Sequence, residues 1–480
     1  MVSYQSTIRT ILRALSDQDK EELSILVAYY GRQIEDDETP IIFIKEDKEH
    51  VLCRLALMIL GLDFAVIPTT MSNAEITSSF TDFSKGVIIT DNIENVESKS
   101  LLFRTLDFYP DNYNVKSEIF DEEEYPNWTM ILYDTKRNQV MINSTLFSLL
   151  YENLDMNFQK YGIFYQRECS ILAESEDFFL YYLVSRSYSR IPFTINEYEK
   201  EQLLLISYNN YKTIWKETLS LTLQNKIFFK LFFNKIIGRI IMLIVVKRFL
   251  KRFKLFKKIV VLGLITDPIL AEVSEKLRSK KVFNTYGETS SLMATGMSQK
   301  PGHISIIPGL STASISLKES SKNFRILSKD NDVNTFDRVS NVMLSFRTNN
   351  LLLNVISDSL FIINGDYAKF LGHAFTNGVC PIHIESIFNS FPFIKDSALV
   401  LWKGNYHLLL DVDEAILEAN NINYVFFNKI MKGQVDKMNE LVLPKAIQIK
   451  TFGQVPCSVP NYNRLGLLNK DFLYNVEFIV

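Results

Sequence analysis

Between residues 226 and 258 the sequence places eleven cations and no acid: Lys226, Lys230, Lys235, Arg239, Lys247, Arg248, Lys251, Arg252, Lys254, Lys257 and Lys258, interleaved with Phe, Leu and Ile. Cations set among large apolar side chains suit an anionic bilayer surface, where each one near the headgroups contributes about 1 kcal/mol. Lys247, Arg248, Lys251, Arg252, Lys254, Lys257 and Lys258 are therefore membrane-surface candidates. A partly buried helical hairpin with a solvated basic face accounts for the same pattern. No recognition motif accompanies the charge, so nucleic acid is not an expected partner. Catalytic pairs are scarce by comparison. His50, His303, His373, His383 and His407 stand singly, and their spacing suggests no Ser/His/Asp or Cys/His arrangement. Cys53, Cys169, Cys380 and Cys457 lie far apart without a CxxC, which argues against a zinc site or disulfide framework and fits a reducing cytoplasm. The acidic run DEEEYPNW at 121–128 reads as a solvated loop, and no metal site is expected.

These residues ride on a chain of 480 residues, 47% hydrophobic and 22% charged, with formal charge −3. That composition excludes disorder and low complexity, and it excludes a globally basic nucleic-acid binder. The N-terminus has helical spacing (Ile8, Ile11, Leu12, Leu15) and no signal-peptide core. The longest apolar stretch, 236–246, contains Arg239 and falls short of the ~20 residues that span a bilayer. A cytoplasmic protein is expected, in peripheral contact with a membrane if the basic segment meets lipid. From 40 to 130, strand runs (PIIFIKED, FAVIPTT, GVIITD) alternate with helical ones (HVLCRLALMILGLD, SNAEITSSFTDF), the pattern of a parallel α/β sheet. WTMILYDTKRNQVMI predicts two strands joined by a polar turn, then a helix from Ser144 to about Leu154. KIVVLGLIT predicts a buried strand, AEVSEKLRSK a helix, KVFNTYGE a strand, and 303–365 a set of short strands. From about Asp366 a smaller α/β unit follows. Glycine is scarce, 17 residues in all, about half the ~7% average.

The stretch KIVVLGLITDPILAEVSEKLRSKKVFNTYGETSS, followed by KPGHISIIPGL, resembles the middle of the AMP-forming acyl-CoA synthetases of the adenylate-forming (AMP-binding) superfamily. There a strand and GGAP-type turn, a helix, a YGxTE(T/S) loop and RPGSVG…PG come in the same order. EHVLCRLALMILGLDFAVIPTTMSNAEI is similar to an early segment of that family, and ISYNNYKTIWKETL to the "VPRVWEKI" segment of its long-chain fatty acyl branch. SDSLFIINGDYAKFLGHAFTNGVCPIHIES resembles the hinge into the mobile C-terminal domain, and LPKAIQIKTFGQVPCSVPNYNR the closing segment. The resemblance is colinear over nearly the whole chain. It implies an α/β fold with a large N-terminal adenylate-forming domain of βαβ-type subdomains over 1–364 and a small α/β C-terminal domain over 365–480.

The family joins a carboxylate to ATP as an acyl-adenylate and then passes the acyl group to coenzyme A. Such chemistry needs phosphate charge neutralised by a glycine-rich loop, a magnesium-associated acid, a ribose-binding Asp and a positioned Lys. Aligned on those motifs, this sequence departs at each. The phosphate loop falls at YDTKRNQVMIN, which has no glycine and is shorter; backbone amides wrap a polyphosphate only where the chain takes positive φ. A hairpin is the better reading there, with Lys136 retained as a candidate anion contact. In YGxTE(T/S), Tyr286, Gly287 and Thr289 match, Glu288 fills the variable position, and Ser290 stands where the metal-associated Glu belongs. SFRTNN puts Asn350 at the ribose-binding Asp, where an amide accepts less than a carboxylate. Two registers compete for Gly365–Asp366, one reading INGD as the TGD motif and the other, preferred, placing Asp366 at the hinge Arg. Asn461 aligns with the lysine that stabilises the adenylation transition state. His303, after Pro301 and Gly302, is a minor candidate contact.

Loss of one preorganised charge donor costs ~2.7–4 kcal/mol of transition-state stabilisation, and such losses do not add. The expectation is an acyl-CoA-synthetase-like protein that has lost adenylation and binds an acyl chain, an acyl carrier or a partner enzyme. The alternative is a divergent, active ligase that uses ATP, magnesium and coenzyme A through replacements such as Glu288, Lys136 or Lys450. A third reading is a membrane-surface component without a ligand.

Overall fold

The computed structural model describes residues 3–43, 48–67, 79, 82–90, 103–107, 124–133, 139–163, 169–172, 178–188, 194–195, 203–234, 236–254, 256–265, 267–276, 281–286, 296–305, 313–320, 324–327, 333–336, 339–347, 352–364, 367–373, 381–402, 404–441, 448–454 and 478–479. Helices α1 (Tyr4–Ala14) and α2 (Asp17–Gln33) precede a first sheet built from β1 (Thr39–Phe43), β2 (Phe64–Val66), β3 (Gly86–Thr90), β4 (Arg104–Asp107), β5 (Thr129–Tyr133) and β6 (Gln139–Asn143), with α3 (Lys48–Leu60) crossing from β1 to β2. Its order is β4-β3-β1-β2-β5-β6. All neighbours are parallel except β5 and β6. Gly61, at φ +70, ends α3 within the helical run HVLCRLALMILGLD. The helix expected over SNAEITSSFTDF lies almost wholly outside the described residues.

A second six-stranded sheet follows, ordered β12-β11-β10-β9-β7-β8. Its strands are β7 (Cys169–Leu172), β8 (Thr194–Ile195), β9 (Leu203–Ser207), β10 (Lys258–Leu262), β11 (Lys281–Tyr286) and β12 (Gly296–Ser298). The helices between these strands are α4 (Ser144–Lys160), α5 (Phe178–Tyr188), α6 (Tyr208–Leu223), α7 (Lys226–Phe232), α8 (Ile237–Arg252) and α9 (Pro268–Lys276). Helix α4 runs a turn and a half past the expected end near Leu154, because Asn157 and Phe158 continue its buried stripe and the Asn157 amide bonds to the Asn153 carbonyl at 3.0 Å. Helix α9 starts at Pro268, earlier than AEVSEKLRSK suggests, since Asp267 caps it and proline suits a first helical position.

Strand periodicity divides the interior into layers. In the first sheet Ile42, Phe64, Val66, Ile89, Met130 and Leu132 face a central core, while Ile41, Phe43, Ala65, Ile88 and Tyr133 face a smaller outer one. In the second sheet Leu203, Leu205, Val260, Leu262 and Phe283 face the same central core. Their neighbours Leu204, Ile206, Ile259, Val261 and Val282 face a third core beneath α6, α8 and α9.

Beyond the second sheet, β13 (His303–Ser305), β14 (Ala313–Ser320), β17 (Val339–Arg347), β18 (Leu352–Asn364) and β19 (Tyr367–His373) make an antiparallel sheet ordered β13-β19-β18-β17-β14, and β15 (Phe324–Leu327) pairs with β16 (Val333–Phe336). These strands are not all short, as 303–365 had suggested. Strand β18 has 13 residues and stays paired past a register shift at each neighbour.

The C-terminal unit carries a four-stranded sheet ordered β20-β21-β22-β23, from β20 (Ile394–Trp402), β21 (Asn405–Val412), β22 (Ile449–Gln454) and β23 (Phe478–Ile479). Helices α10 (Pro381–Asn389), α11 (Glu414–Ala419) and α12 (Tyr424–Leu441) accompany it. Among the described residues, this unit has no separate core. Phe388, Phe393, Leu399, Leu408, Phe427 and Met431 belong to the third core, together with Tyr211, Trp215 and Phe249 of α6 and α8.

Candidate functional site

In open parallel sheets, ligands sit beyond the carboxyl ends of the strands. In the second sheet the neighbouring strands β9, β10 and β11 present three such ends. Strand β9 ends at Ser207, whose Oγ accepts from the Asn210 amide at 3.2 Å and caps α6. Strand β10 runs into Gly263, at φ +120, where a Cβ would come within 2.9 Å of the Tyr208 Cβ; glycine is required on both counts. Its amide donates to Thr285 Oγ1 at 3.1 Å, tying the turn to β11. Beyond the turn, the Asp267 amide donates to the Tyr208 hydroxyl at 3.1 Å. The Asp267 carboxylate in turn accepts from the amides of Ile269 and Leu270 at 2.8 and 2.9 Å.

Strand β11 carries the fully buried pair Asn284 and Thr285 and ends at Tyr286, opposite Gly296 of β12. Asn284 Oδ1 accepts from the Gly302 amide at 2.8 Å while its Nδ2 donates to the Ser298 carbonyl at 3.1 Å, fixing the segment that enters β13. The described part of this edge thus meets its polar groups from within the chain. At two helix N-termini where a phosphate finds unpaired amides, this chain supplies Ser207 and the anionic Asp267 as its own caps. Among the described residues no group of three or more His, Cys, Asp and Glu is placed to hold a metal ion.

The expected hairpin at the phosphate-loop position is present as β5 and β6. Tyr133 pairs with Gln139, leaving only 134–138 to connect them. Tyr133 is buried, and its hydroxyl bonds to Asp82 at 3.2 Å. Burial, with the Asp82 carboxylate adding to it, holds the Tyr133 phenol well above its ordinary range. Of the nucleotide candidates, Tyr286 ends β11 beside the Gly263 turn, and His303 opens β13 opposite Lys369. Lys450, named as a possible replacement, is an exposed residue of β22. Lys136, Gly287, Glu288, Thr289, Ser290, Asn350, Asp366 and Asn461 lie outside the described residues. Around two of these the strands are visible: Arg347 pairs with Leu352 across the 348–351 connection, and Asn364 with Tyr367 across 365–366.

The basic segment folds as the helical pair α7 and α8. Gly238 sits where a Cβ would collide with the Phe232 carbonyl, which permits the tight approach of the two helices. Lys247, Arg248, Lys251, Arg252, Lys254 and Lys257 are all exposed. Arg248 donates to Thr222 Oγ1 at 3.0 Å and Arg252 pairs with Glu217 at 3.3 Å, so these two guanidiniums reach back to α6. The Lys258 ammonium reaches the Gly162 carbonyl. Among the described residues no helix is long and apolar enough to cross a membrane.

Sequence reasoning missed the join between α6 and the C-terminal unit. Lys212 Nζ lies 2.6 Å from the Asp396 carboxylate, both nearly inaccessible to solvent. Lys216 Nζ donates to the carbonyls of Asn389 and Ile394 at 3.0 and 3.1 Å, and the Asn420 amide to the Leu223 carbonyl at 3.0 Å. Burial alone would depress the Lys212 ammonium, but Asp396, helped by Tyr208 and Asp267, outweighs it and the group is held above the ordinary lysine range. Lys216, with carbonyls in place of a carboxylate, is pushed down by burial and by Lys212, with Asp267 offsetting part of the shift. The Asp267–Pro268 dipeptide was a legible cap signal. Nothing in the sequence announces a pairing between Lys212 and Asp396.

Two mostly parallel α/β sheets that share a central core, an antiparallel sheet and a small C-terminal α/β unit are the architecture of the adenylate-forming enzymes. Solved structures of that fold superpose on nearly the whole chain. O-succinylbenzoate coenzyme A synthetase (MenE) from Bacillus subtilis, in complex with ATP and magnesium ion, is similar at TM-score 0.60 and 15% identity over 95% of this chain and 92% of that one. ATP-bound MatB from Rhodopseudomonas palustris matches at TM-score 0.58 and 13% identity over 98% of each chain. The McyG A-PCP structure complexed with phenylalanyl-adenylate matches at 0.63 and 11%, over 99% of this chain and 90% of that one. No family model matches the chain, and no curated protein does. At these identities the likeness is one of fold.

Proposed function

We propose that this chain is an acyl-CoA-synthetase-like protein of the adenylate-forming family in which carboxylate activation is lost or strongly impaired, and that it works as a binding module for an acyl chain, an acyl carrier or a partner enzyme. The observation that carries this reading is the β5–β6 hairpin. With Tyr133 paired to Gln139, the 134–138 connection holds no glycine and is too short to wrap a triphosphate as a glycine-rich loop does. Asp267 supports it, since a carboxylate already bonded to the first amides of α9 repels a phosphate from that helix terminus. So does the fastening of the C-terminal unit, because a domain sharing a core and a buried ion pair with its neighbour does not swing freely.

The test is ATP–pyrophosphate exchange by the purified chain with magnesium and a panel of fatty and aromatic carboxylates. Exchange is expected to stay at the level without carboxylate, while a fluorescent long-chain fatty acid or an acyl-phosphopantetheine binds saturably. Clear carboxylate-dependent exchange would overturn the reading in favour of an active, divergent ligase.

A further inference from the structure

We propose that the outer face of α7 and α8 is a docking surface for an anionic phospholipid bilayer, with an apolar wedge at one end and a cationic rim at the other. The sequence gives α8 a uniform mixture of apolar and basic residues; its burial sorts them. Ile241, Val245 and Phe249 point into the third core, and Gly238 is buried against Phe232. On the opposite side Ile236, Ile240, Leu243, Lys247, Lys251 and Lys254 succeed one another at intervals of three or four residues, which makes one stripe along the helix.

The stripe changes character midway. Ile236, Ile240 and Leu243 are 72%, 52% and 60% exposed, and Ile227 and Phe233 of the preceding helix and turn are 66% and 58% exposed. Large aliphatic and aromatic side chains at such exposure, adjacent along one element, are what a water-facing surface avoids. Past Leu243 every residue of the stripe is a lysine, and Lys257 follows on the next turn of chain. Among the described residues no acid pairs with Lys247, Lys251, Lys254 or Lys257, whereas the neighbouring Arg248 and Arg252 are held by α6. Those two arginines, with the apolar underside, fix the helix in place and leave its outer face free.

Charge selects the occupant. A second copy of this chain would bring the same cations against themselves, and an apolar groove on a partner protein would not require lysines along half of the stripe. A bilayer with anionic headgroups satisfies both halves, taking the apolar end among its acyl chains while the lysines rest on phosphate and carboxylate. The mode is peripheral and in the interface plane, and it is independent of any ligand beyond the strand ends of the second sheet.

Co-sedimentation of the full chain with vesicles tests this. Vesicles of phosphatidylcholine with about 30 mol% phosphatidylserine are expected to carry the protein down, and pure phosphatidylcholine to carry far less. Lys247→Glu, Lys251→Glu, Lys254→Glu and Lys257→Glu together should weaken partitioning more than about a hundredfold, since each lost charge alone is worth about fivefold. Ile236→Ser, Ile240→Ser and Leu243→Ser together should weaken it more than about tenfold and should persist as a defect in high salt, where the charge effect fades. Unchanged thermal midpoints certify that both variants fold. Absence of sedimentation, or variants that sediment like the parent, overturns the proposal. So does a dimer broken by the serine variant while vesicle binding is untouched, which would assign the face to a second copy.

Discussion

Helices α6 and α8 lie against each other, tied by Arg248 to Thr222 and by Arg252 to Glu217, yet they use the same side chain in opposite ways. On α6, Lys212 and Lys216 turn toward the C-terminal unit and meet Asp396 and two of its main-chain carbonyls. On α8 and the turn that follows it, Lys247, Lys251, Lys254 and Lys257 face water. Residue type is constant across the comparison; what varies is desolvation and the presence of a fixed acceptor. A buried ammonium must recover in partners what it loses in hydration, so its geometry is over-determined, whereas an exposed one is interchangeable with its neighbours.

The largest consequence falls on the seam. Lys212→Met leaves the Asp396 carboxylate buried with the Asn389 amide, at 2.9 Å, as its remaining side-chain partner, and should lower unfolding stability by about 3–5 kcal/mol in urea titration. Adding Asp396→Asn removes the stranded charge and should recover more than half of that loss. Because the two residues sit on opposite sides of a shared core, the single variant should also expose the C-terminal unit to protease before the rest of the chain. A cost below about 1 kcal/mol would mean that water reaches the pair and that the contrast with α8 is false.

A third buried base extends the comparison from an ammonium to an imidazole. His50 on α3 is fully buried beside Arg54, and burial first, then the guanidinium, hold its imidazole well below the ordinary value of about 6.5. It is therefore neutral in the folded chain and protonates on unfolding. Between pH 7.5 and 5.5 the unfolded state gains a proton that the folded state refuses, so stability falls as pH drops through about 6.5, by at most about 1.4 kcal/mol per unit. His50→Asn should flatten this slope in urea midpoints measured across that window. An unaltered slope would show that some other group carries it.

These contrasts also mark what a sequence can and cannot disclose. Helix α3, its stop at Gly61, the β5–β6 hairpin and the parallel order of the first sheet follow from spacing of two or of three to four residues and from local turn chemistry, all of which act over a few positions. The layered cores follow from the same alternation once the sheets are formed. The caps Ser207 and Asp267 were within reach, since each is a short polar residue directly before a helical run. The Lys212–Asp396 pair was not, because a contact between remote segments leaves no local pattern in one chain. The basic segment was legible as charge but not as a surface; only packing against α6 and the sheet decides that Gly238, Ile241 and Val245 go inward and Ile236, Ile240 and Leu243 outward.

The smallest effect belongs to the exposed lysines, and it is informative because it is small. Lys247→Gln, Lys251→Gln, Lys254→Gln and Lys257→Gln, singly or combined, should leave the urea midpoint within the equivalent of about 0.5 kcal/mol, since glutamine keeps the helix propensity and no fixed partner is lost. Neutralising all four also relieves repulsion between Lys247 and Lys251, four residues apart on α8, a pair worth a few tenths of a kcal/mol. The combined variant is therefore expected at or slightly above the parent at low ionic strength, with the difference closing as salt is added. A combined variant that unfolds more readily than the parent would show that these lysines serve the fold after all, and would erase the distinction between the two helices.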